Sequence, residues 1–255
     1  MVDHPREKDL AAPKEIIDLV KEFERDEFFY KSNQFNETEL RTRFVNPLVE
    51  ALGWDVYHNQ NCRADQHEVK EEDSVEVEGK IKNPDYSFRL FDNSIGSMKR
   101  KFFVEVKRPS INIESGAYPA FQLRRYAWSA DLPISILTDF EEFSVYYCLS
   151  RPFREDKPAK FRIMYLRYDQ YPEKWPEIVA LFSREAVCSG SLDRYARSLP
   201  QKRGDKRVDA ALLDDISKWR EMLAKNIALR NPELDTWRCH PIELHPPFYR
   251  PVSAG

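Results

Sequence analysis

The stretch Asn83-Pro-Asp-Tyr-Ser-Phe-Arg-Leu90, followed after a ten-residue polar interruption by Lys101-Phe-Phe-Val-Glu-Val-Lys-Arg-Pro109, decides the fold predicted for this chain. The second segment is rich in aromatic and β-branched residues and is bounded by a proline, which favours a β-strand. Together the two segments predict a β-hairpin that carries acidic side chains.

Side chains on a strand alternate between the two faces of its sheet. In the second segment this alternation places Phe103, Glu105 and Lys107 on one face. The opposite face carries Phe102, Val104 and Val106. An acid and a base therefore share one face, about 7 Å apart.

The first segment alternates in the same way. Its apolar face consists of Tyr86, Phe88 and Leu90. Asp85, at the beginning of the strand, then points to the other face, where strand pairing can bring it beside Glu105. Two carboxylates at this range repel each other unless a cation lies between them, and Mg²⁺ takes oxygen ligands of this kind. A lysine such as Lys107 can orient an attacking water while the metal offsets charge on a phosphate.

A Glu-x-Lys sequence also has an ordinary interpretation. In a chain that is 33% charged it arises by chance, as a solvated strand face or a surface ion pair. Here the acid and the base lie inside an otherwise apolar strand, where the burial of unpaired charge is costly. Their placement therefore favours a functional site.

Composition limits the classes of function. The 255 residues, 42% of them hydrophobic, suit one large domain or one domain with an appendage. The formal net charge of -3 provides no global field for nucleic acid, so affinity for DNA must come from local basic patches. Such patches lie at residues 99–101 with 107–108, at 124–125 and at 201–207. Among these we expect Arg108, Arg124 and Arg125 to contact DNA.

The four cysteines have no paired spacing and the five histidines complete no zinc pattern, so structural zinc is not expected. The first residues lack the apolar core of a signal peptide, and no apolar run is long enough to span a bilayer. The sequence therefore predicts a cytoplasmic protein without a membrane partner.

Two helices are predicted before the hairpin. The first begins at Pro13, and the second runs from an N-cap at Asn36 to Gly53 with a kink at Pro47. Glu39 has two interpretations in this second helix. It is either half of a capping box, or an additional carboxylate directed at the metal site.

The remaining pattern predicts an α/β sandwich with a mixed central sheet flanked by helices. Strands are expected at residues 54–57, 133–138, 143–148 and, at an edge, 162–165. A helix is expected over residues 119–130, with Gln122 and Tyr126 on one face. Apolar stripes after residue 171 predict a C-terminal helical appendage.

Six stretches together resemble the N-terminal nuclease region of Eco57I-like (type IIG) restriction–modification enzymes and, more distantly, the N-terminal domain of the type I restriction R subunit. They are Glu37–Phe44, Ala51–Asp55, Pro84–Phe88, Phe103–Pro109, Phe121–Trp128 and Leu137–Phe140. Pro84-Asp85 with Glu105-Val106-Lys107 resembles the PD-(D/E)xK nuclease motif. The resemblance extends over residues 14–234.

The resemblance implies a restriction-endonuclease-like fold and Mg²⁺-dependent hydrolysis of phosphodiester bonds in double-stranded DNA. Asp85 and Glu105 would hold Mg²⁺, for which Mn²⁺ is expected to substitute. Lys107 would position and activate water, and Gln122 would assist. Tyr126 would support the site, and so would Glu39.

The resemblance also implies a division of the chain. We expect a nuclease domain over residues 1–170, a helical connector over 171–234 and an irregular, proline-rich and dispensable tail over 235–255, where a truncation or frame change replaces the family's plan. Methyltransferase and target-recognition domains are expected downstream or in a separate chain. The alternative is a truncated fragment or a catalytically silent nuclease-like module that associates with DNA. No glycine-rich phosphate loop or nucleophile elbow supports a general metabolic enzyme.

Overall fold

The structure is a computed structural model that describes residues 11–60, 62–199 and 210–230. The basic segment 201–207 and the tail 235–255 lie outside these residues, so the predictions made for them stay predictions. The chain divides into two compact units, Met1–Asp205 and Lys206–Gly255. In the second unit the described part is one long helix.

A six-stranded mixed sheet forms the centre of the first unit, in the order β1-β4-β5-β6-β7-β8. Its strands are β1 Val69–Glu71, β4 Tyr86–Asp92, β5 Ser97–Val106, β6 Ile134–Thr138, β7 Glu142–Tyr147 and β8 Arg162–Arg167. Strands β5 and β6 pair in parallel, and the other neighbours pair antiparallel. A separate hairpin joins β2 Val75–Val77 to β3 Lys80–Lys82. The mixed central sheet is therefore confirmed, with β8 at its edge.

Helices cover both faces of this sheet, which confirms the α/β fold class. They are α1 Lys14–Tyr30, α2 Glu37–Leu40, α3 Asn46–Ala51, α4 Ala117–Ser129, α5 Tyr171–Phe182, α6 Arg184–Cys188 and α7 Ser191–Ser198. The second unit, described by itself, contains α8 Ala210–Arg230. Residues from α1, α3 and α5 to α7 share one apolar core with the sheet. Helix α4 and the β2–β3 hairpin share the core on the opposite face.

The alternation predicted for the hairpin is confirmed. Phe102, Val104 and Val106 lie in the larger core, whereas Phe103 lies in the smaller one. A β-bulge between Phe88 and its neighbour in β4 shifts the register farther along the strands, away from Asp85.

The predicted strand at residues 54–57 is wrong, because this segment is an irregular turn. Gly53 has φ +86 and ends the helix in a left-handed conformation. Trp54 then turns into the core, where its indole N–H donates to the Phe182 carbonyl at 2.9 Å. The Asp55 carboxylate accepts the backbone N–H groups of the next turn, at Asn59 and Gln60. The aromatic side chain thus packs without a strand around it.

The helical segment after Asn36 is interrupted before Pro47, where a kink was predicted. A short π-helix, Arg41–Val45, separates α2 from α3, and the Asn46 N–H bonds to the Arg41 carbonyl. Because proline has no N–H to donate, a local wide turn accommodates it without ending the helical path. The backbone irregularity therefore has a covalent cause.

Helices α5 to α7, at the beginning of the predicted connector, contribute Trp175, Ile178 and Leu192 to the core of the sheet. The functional boundary at residue 170 stays a prediction, since this packing does not separate activities. Helix α8, described by itself, confirms that the apolar pattern around Trp219 is helical. Among the described helices, none is long and apolar enough to cross a membrane.

We predict that Phe102→Ala lowers the free energy of unfolding by about 3–5 kcal/mol, the usual cost of removing a fully buried aromatic ring. Phe102 is 1% exposed and stacks on Phe88 with ring centroids 4.3 Å apart. Phe91→Ala is the matched control, because Phe91 is 52% exposed on the adjoining strand, and its cost should stay below about 1 kcal/mol. Denaturant melts measure both; equal losses would contradict this description of the core.

Candidate active site

The hairpin places two carboxylates opposite each other. Tyr86 pairs with Val104 and Ser87 with Phe103, so one further step of this register sets Asp85 against Glu105. The Asp85 Oδ2 atom accepts the backbone N–H of Val106 at 2.7 Å. This hydrogen bond fixes the Asp85 carboxylate at the end of β5.

Glu105 is the most constrained acid of this site, with 2% of its surface exposed. Its Oε1 atom accepts Lys107 Nζ at 2.7 Å and also the side-chain amide of Gln122. Its Oε2 atom is buried and has no hydrogen-bond partner. A buried carboxylate oxygen without a partner is costly, which marks a position that a cation or another ligand can fill.

Burial raises the pKa of both acids, and the charge of Asp85 adds to the effect at Glu105. Burial, and then the charge of Asp85, raise the pKa of Glu105 to about 7. Burial also raises the pKa of Asp85, although its bond to the Val106 N–H opposes this. For Lys107, burial lowers the pKa, but the charge and hydrogen bond of Glu105 outweigh it and the net direction is upward. Lys107 is therefore a cation at neutral pH.

The donor set fits a hard divalent cation. Within the described residues, no group of three or more His, Cys, Asp or Glu side chains is arranged to hold a metal ion. Mg²⁺ needs no such group, because it commonly keeps several waters and takes one or two carboxylates together with substrate phosphates. Asp85 and Glu105 could supply those two ligands, and the Glu105 Oε2 atom is buried without a hydrogen-bond partner.

Gln122 and Tyr126 share one face of α4, as their spacing predicts. The Gln122 amide donates both to Glu105 and to the Tyr126 hydroxyl, the latter at 3.2 Å. Tyr126 is buried behind it. The pair therefore holds the Glu105 carboxylate from the helical side of the cleft.

The two interpretations of Glu39 are separated by its contacts. Its carboxylate accepts the Asn36 N–H at 3.0 Å, and the Asn36 side chain accepts the Glu39 N–H at 2.9 Å. This is the capping box, so the alternative role near the metal site does not follow from the structure. The sequence already favoured this interpretation, because the carboxylate of a capping box accepts the N-cap backbone N–H.

Glu37 is the carboxylate of this helix that lies near the site, and the sequence analysis did not select it. Burial and the charge of Asp85 raise its pKa, whereas Lys107, Arg41 and Arg108 lower it. All four charges are therefore within electrostatic range of Glu37. Arg108 is one of these charges, and its contact with DNA stays a prediction.

Arg124 contradicts the surface position predicted for it. It is 1% exposed, its Nη1 atom pairs with Asp156 at 2.9 Å, and its guanidinium lies over the Phe161 ring. It belongs to the face of α4 that packs inward, so it does not contact DNA. Arg125 lies on the other side, half-buried, with Nη1 3.9 Å from Glu78.

A second residue missed by sequence reasoning is Arg41. Its Nε atom donates to the Tyr86 hydroxyl at 3.2 Å, and its Nη2 atom pairs with Glu71 at 3.2 Å. The same hydroxyl donates to Asn46. The network joins the π-helix to the strand that begins immediately after Asp85.

A comparison with curated proteins agrees with the resemblance seen in the sequence. No protein-family model matches the chain. It is 34% identical over 218 residues to the type II restriction enzyme and methyltransferase RM.Eco57I of Escherichia coli, over 85% of this chain and 21% of that protein. The chain thus spans about a fifth of the length of this curated relative. Among solved structures it is similar to the type IIG restriction endonuclease BpuSI, with a TM-score of 0.32 and 16% identity, over 58% of this chain and 17% of that one.

We predict that, without divalent cations, the protein loses stability as the pH rises from about 4.5 to about 7. Glu105 binds its proton more tightly in the folded than in the unfolded chain. Its contribution to the free energy of unfolding is therefore complete below the ordinary pKa of glutamate, and it is lost as the pH rises through the raised pKa of about 7. The loss should be roughly 2–3 kcal/mol, from about 1.4 kcal/mol for each pKa unit.

Denaturant melts across this pH range test the prediction. Glu105→Gln should flatten the profile, whereas the exposed control Glu155→Gln should keep it. Parallel profiles for the wild type and Glu105→Gln would mean that Glu105 is not the group that titrates.

Proposed function

Because the chain is homologous to the Eco57I-like restriction–modification enzymes, we propose that it is their DNA-cleaving part, an endonuclease that uses Mg²⁺ to hydrolyse phosphodiester bonds of duplex DNA. The observation that carries this proposal is the buried pair of Asp85 and Glu105, with Lys107 bonded to the second acid. Buried carboxylate oxygens normally accept hydrogen bonds. Here one Glu105 oxygen has no partner.

Asp85 and Glu105 would hold the Mg²⁺ ion, and Mn²⁺ would substitute for it. When bound, the ion would offset negative charge on the scissile phosphate and acidify a bound water. Ion binding is favoured because a cation offsets the charge of Asp85, which helps to raise the pKa of Glu105.

Lys107 contributes a positive charge rather than a proton-accepting group. Its pKa is raised by the acids around it, so it remains an ammonium that can hold a hydroxide or phosphate oxygen by hydrogen bonds. Its bond to the Val106 carbonyl, at 2.9 Å, fixes the direction of the side chain. Gln122 orients Glu105, and Tyr126 supports Gln122 from behind.

Target recognition and methylation would reside outside the described residues of this chain. The relative's name includes a methyltransferase, and the matched part is about a fifth of that protein. The nuclease part would therefore contact DNA mainly through phosphates, from Arg108, Arg125 and neighbouring groups. Phosphate contacts position a duplex and carry no sequence information by themselves.

We predict that the purified chain converts supercoiled plasmid into open circles with low sequence specificity in Mg²⁺ or Mn²⁺. Lys107→Ala should slow this conversion by roughly a hundredfold, the usual effect of removing one group that stabilises developing charge. Lys174→Ala should cut like the wild type, because Lys174 is a partly exposed lysine on α5 that pairs with Glu177. Agarose gels over time measure the three rates. Identical traces for wild type and Lys107→Ala in both metals would favour the catalytically silent module instead.

We also predict that Mg²⁺ raises the melting temperature of the wild type, because the ion binds only the assembled pair of acids. Each kcal/mol of binding free energy should appear as about 2–4 °C in a chain of this size. Asp85→Asn should melt higher than the wild type in a chelator and respond little to Mg²⁺, since it removes both the repulsion and a ligand.

Asp65→Asn is the control for this experiment, since Asp65 is exposed and pairs only with Arg63 among the described contacts. It should retain the full response to Mg²⁺. An equal rise in melting temperature for wild type and Asp85→Asn would exclude Asp85 as a metal ligand.

A further inference from the structure

Two arginines beside the candidate active site are paired with carboxylates of one short segment. This segment, which we call the acidic strap, comprises residues 69–78. Its acids are Glu71, Glu72, Asp73, Glu76 and Glu78. Glu71 pairs with Arg41, and Glu78 pairs with Arg125. One segment thus supplies counter-charges on two sides of the same site.

Arg41 lies close to the catalytic acids. Its charge lowers the pKa of both Asp85 and Glu37. Its side chain is only 14% exposed, whereas that of its partner Glu71 is 51% exposed. The cation is therefore held by the fold, through its bond to Tyr86, while the acid is largely in water.

Arg125 shows the same asymmetry on the α4 side. Its side chain is 20% exposed and its Nε atom is buried without a partner, whereas its partner Glu78 is 69% exposed. Arg125 is near the Gln122–Tyr126 pair, since its charge lowers the pKa of Tyr126. The ion pair is loose, at 3.9 Å, and leaves donor capacity of the guanidinium unused.

An exposed carboxylate is easily exchanged for a phosphate at such positions. An ion pair with a solvated acid contributes only about 0–1 kcal/mol, because water replaces the lost contact. A phosphate accepts two parallel hydrogen bonds from one guanidinium and carries a fixed charge. DNA can therefore displace Glu71 and Glu78 at small cost.

The strap is tied to the catalytic strand rather than placed against it by chance. The Glu72 N–H donates to the Asp85 carbonyl at 3.1 Å. Asp73 is buried and pairs with Arg100 of β5 at 2.7 Å. Val75 and Val77 anchor the hairpin in the core under α4. These contacts fix the strap, so that its exposed acids remain beside the two arginines.

We propose that Arg41 and Arg125 are phosphate-binding residues of the DNA interface, and that Glu71 and Glu78 occupy them until duplex DNA displaces the two carboxylates. This inference rests on the proposed nuclease function, and it adds Arg41 and a competing internal anion to that interface. The strap thereby weakens binding to any DNA, because a duplex must displace the two carboxylates before its phosphates contact Arg41 and Arg125.

The experiment measures binding of a fluorescein-labelled random-sequence duplex by fluorescence anisotropy at low ionic strength, in Ca²⁺, which takes the same oxygen ligands as Mg²⁺. Glu71→Gln should lower Kd roughly two- to fivefold and Glu78→Gln about twofold, the range expected for one released exposed ion pair. Each should also steepen the dependence of log K on log salt by up to about 0.9, one phosphate contact.

Glu76→Gln is the matched control, since it removes the same charge from the same strap at an exposed residue that forms no ion pair with another described residue. Its Kd should stay within about 1.5-fold of the wild type, because a solvated charge without a local partner is screened. Equal gains for all three variants would show a general charge effect and overturn the proposal.

A double-mutant cycle supplies the decisive readout, because contacting residues couple and independent ones add. In an Arg41→Gln background, Glu71→Gln should produce no gain, and the same holds for Glu78→Gln in Arg125→Gln. A gain that persists without the arginine would overturn the proposal. Arg41→Gln removes the hydrogen bond to Tyr86 and could prevent folding. In that case the cycle of Glu78 and Arg125 still tests the proposal.

The outcomes separate this inference from the function on which it rests. If the wild type binds the duplex and neither Glu71→Gln nor Glu78→Gln binds it more tightly, the proposed role of the strap is overturned and the nuclease function is not. No binding of duplex by the wild type or by any variant would overturn the nuclease interface and the strap together.

Discussion

The repulsion between Asp85 and Glu105 is the constraint on which the rest of the site depends. The β4–β5 register sets the two acids opposite each other, and burial raises the pKa of both. The hydrogen bonds to the two acids moderate this repulsion: the Val106 N–H on one acid, and Lys107 with Gln122 on the other. The Glu105 Oε2 atom remains buried without a hydrogen-bond partner, and it can therefore bind a cation.

The apolar core keeps that arrangement from relaxing. Phe102, Val104 and Val106 are buried on one face of β5, so a slip by one residue would move them out of the larger core and place Glu105 and Lys107 in it. Packing on the opposite face of the sheet therefore fixes the positions of Asp85, Glu105 and Lys107. Stacking of Phe102 on Phe88 strengthens the same strand pair that carries the two carboxylates.

Charge around the site is balanced by groups that are distant in sequence. The capping box uses Glu39, whereas Glu37 is within electrostatic range of Asp85, and the π-helix after it directs Arg41 to Tyr86 and Glu71. A backbone irregularity caused by proline and a helix cap thus decide which charges reach the cleft. On the opposite side, α4 sends Arg124 inward and Arg125 toward the strap.

The sequence by itself determined the parts of this protein that follow from short-range periodicity. Alternation fixed the faces of β5, four-residue spacing placed Gln122 with Tyr126, and the order of apolar runs implied a mixed sheet. Only the tertiary structure decided that Arg124 is buried, that Glu37 and not Glu39 lies near the site, and that Trp54 enters the core from a turn. The physical reason is that periodicity records which face a side chain occupies, whereas its charge partner and its burial depend on segments that are distant in sequence and meet only when the chain folds.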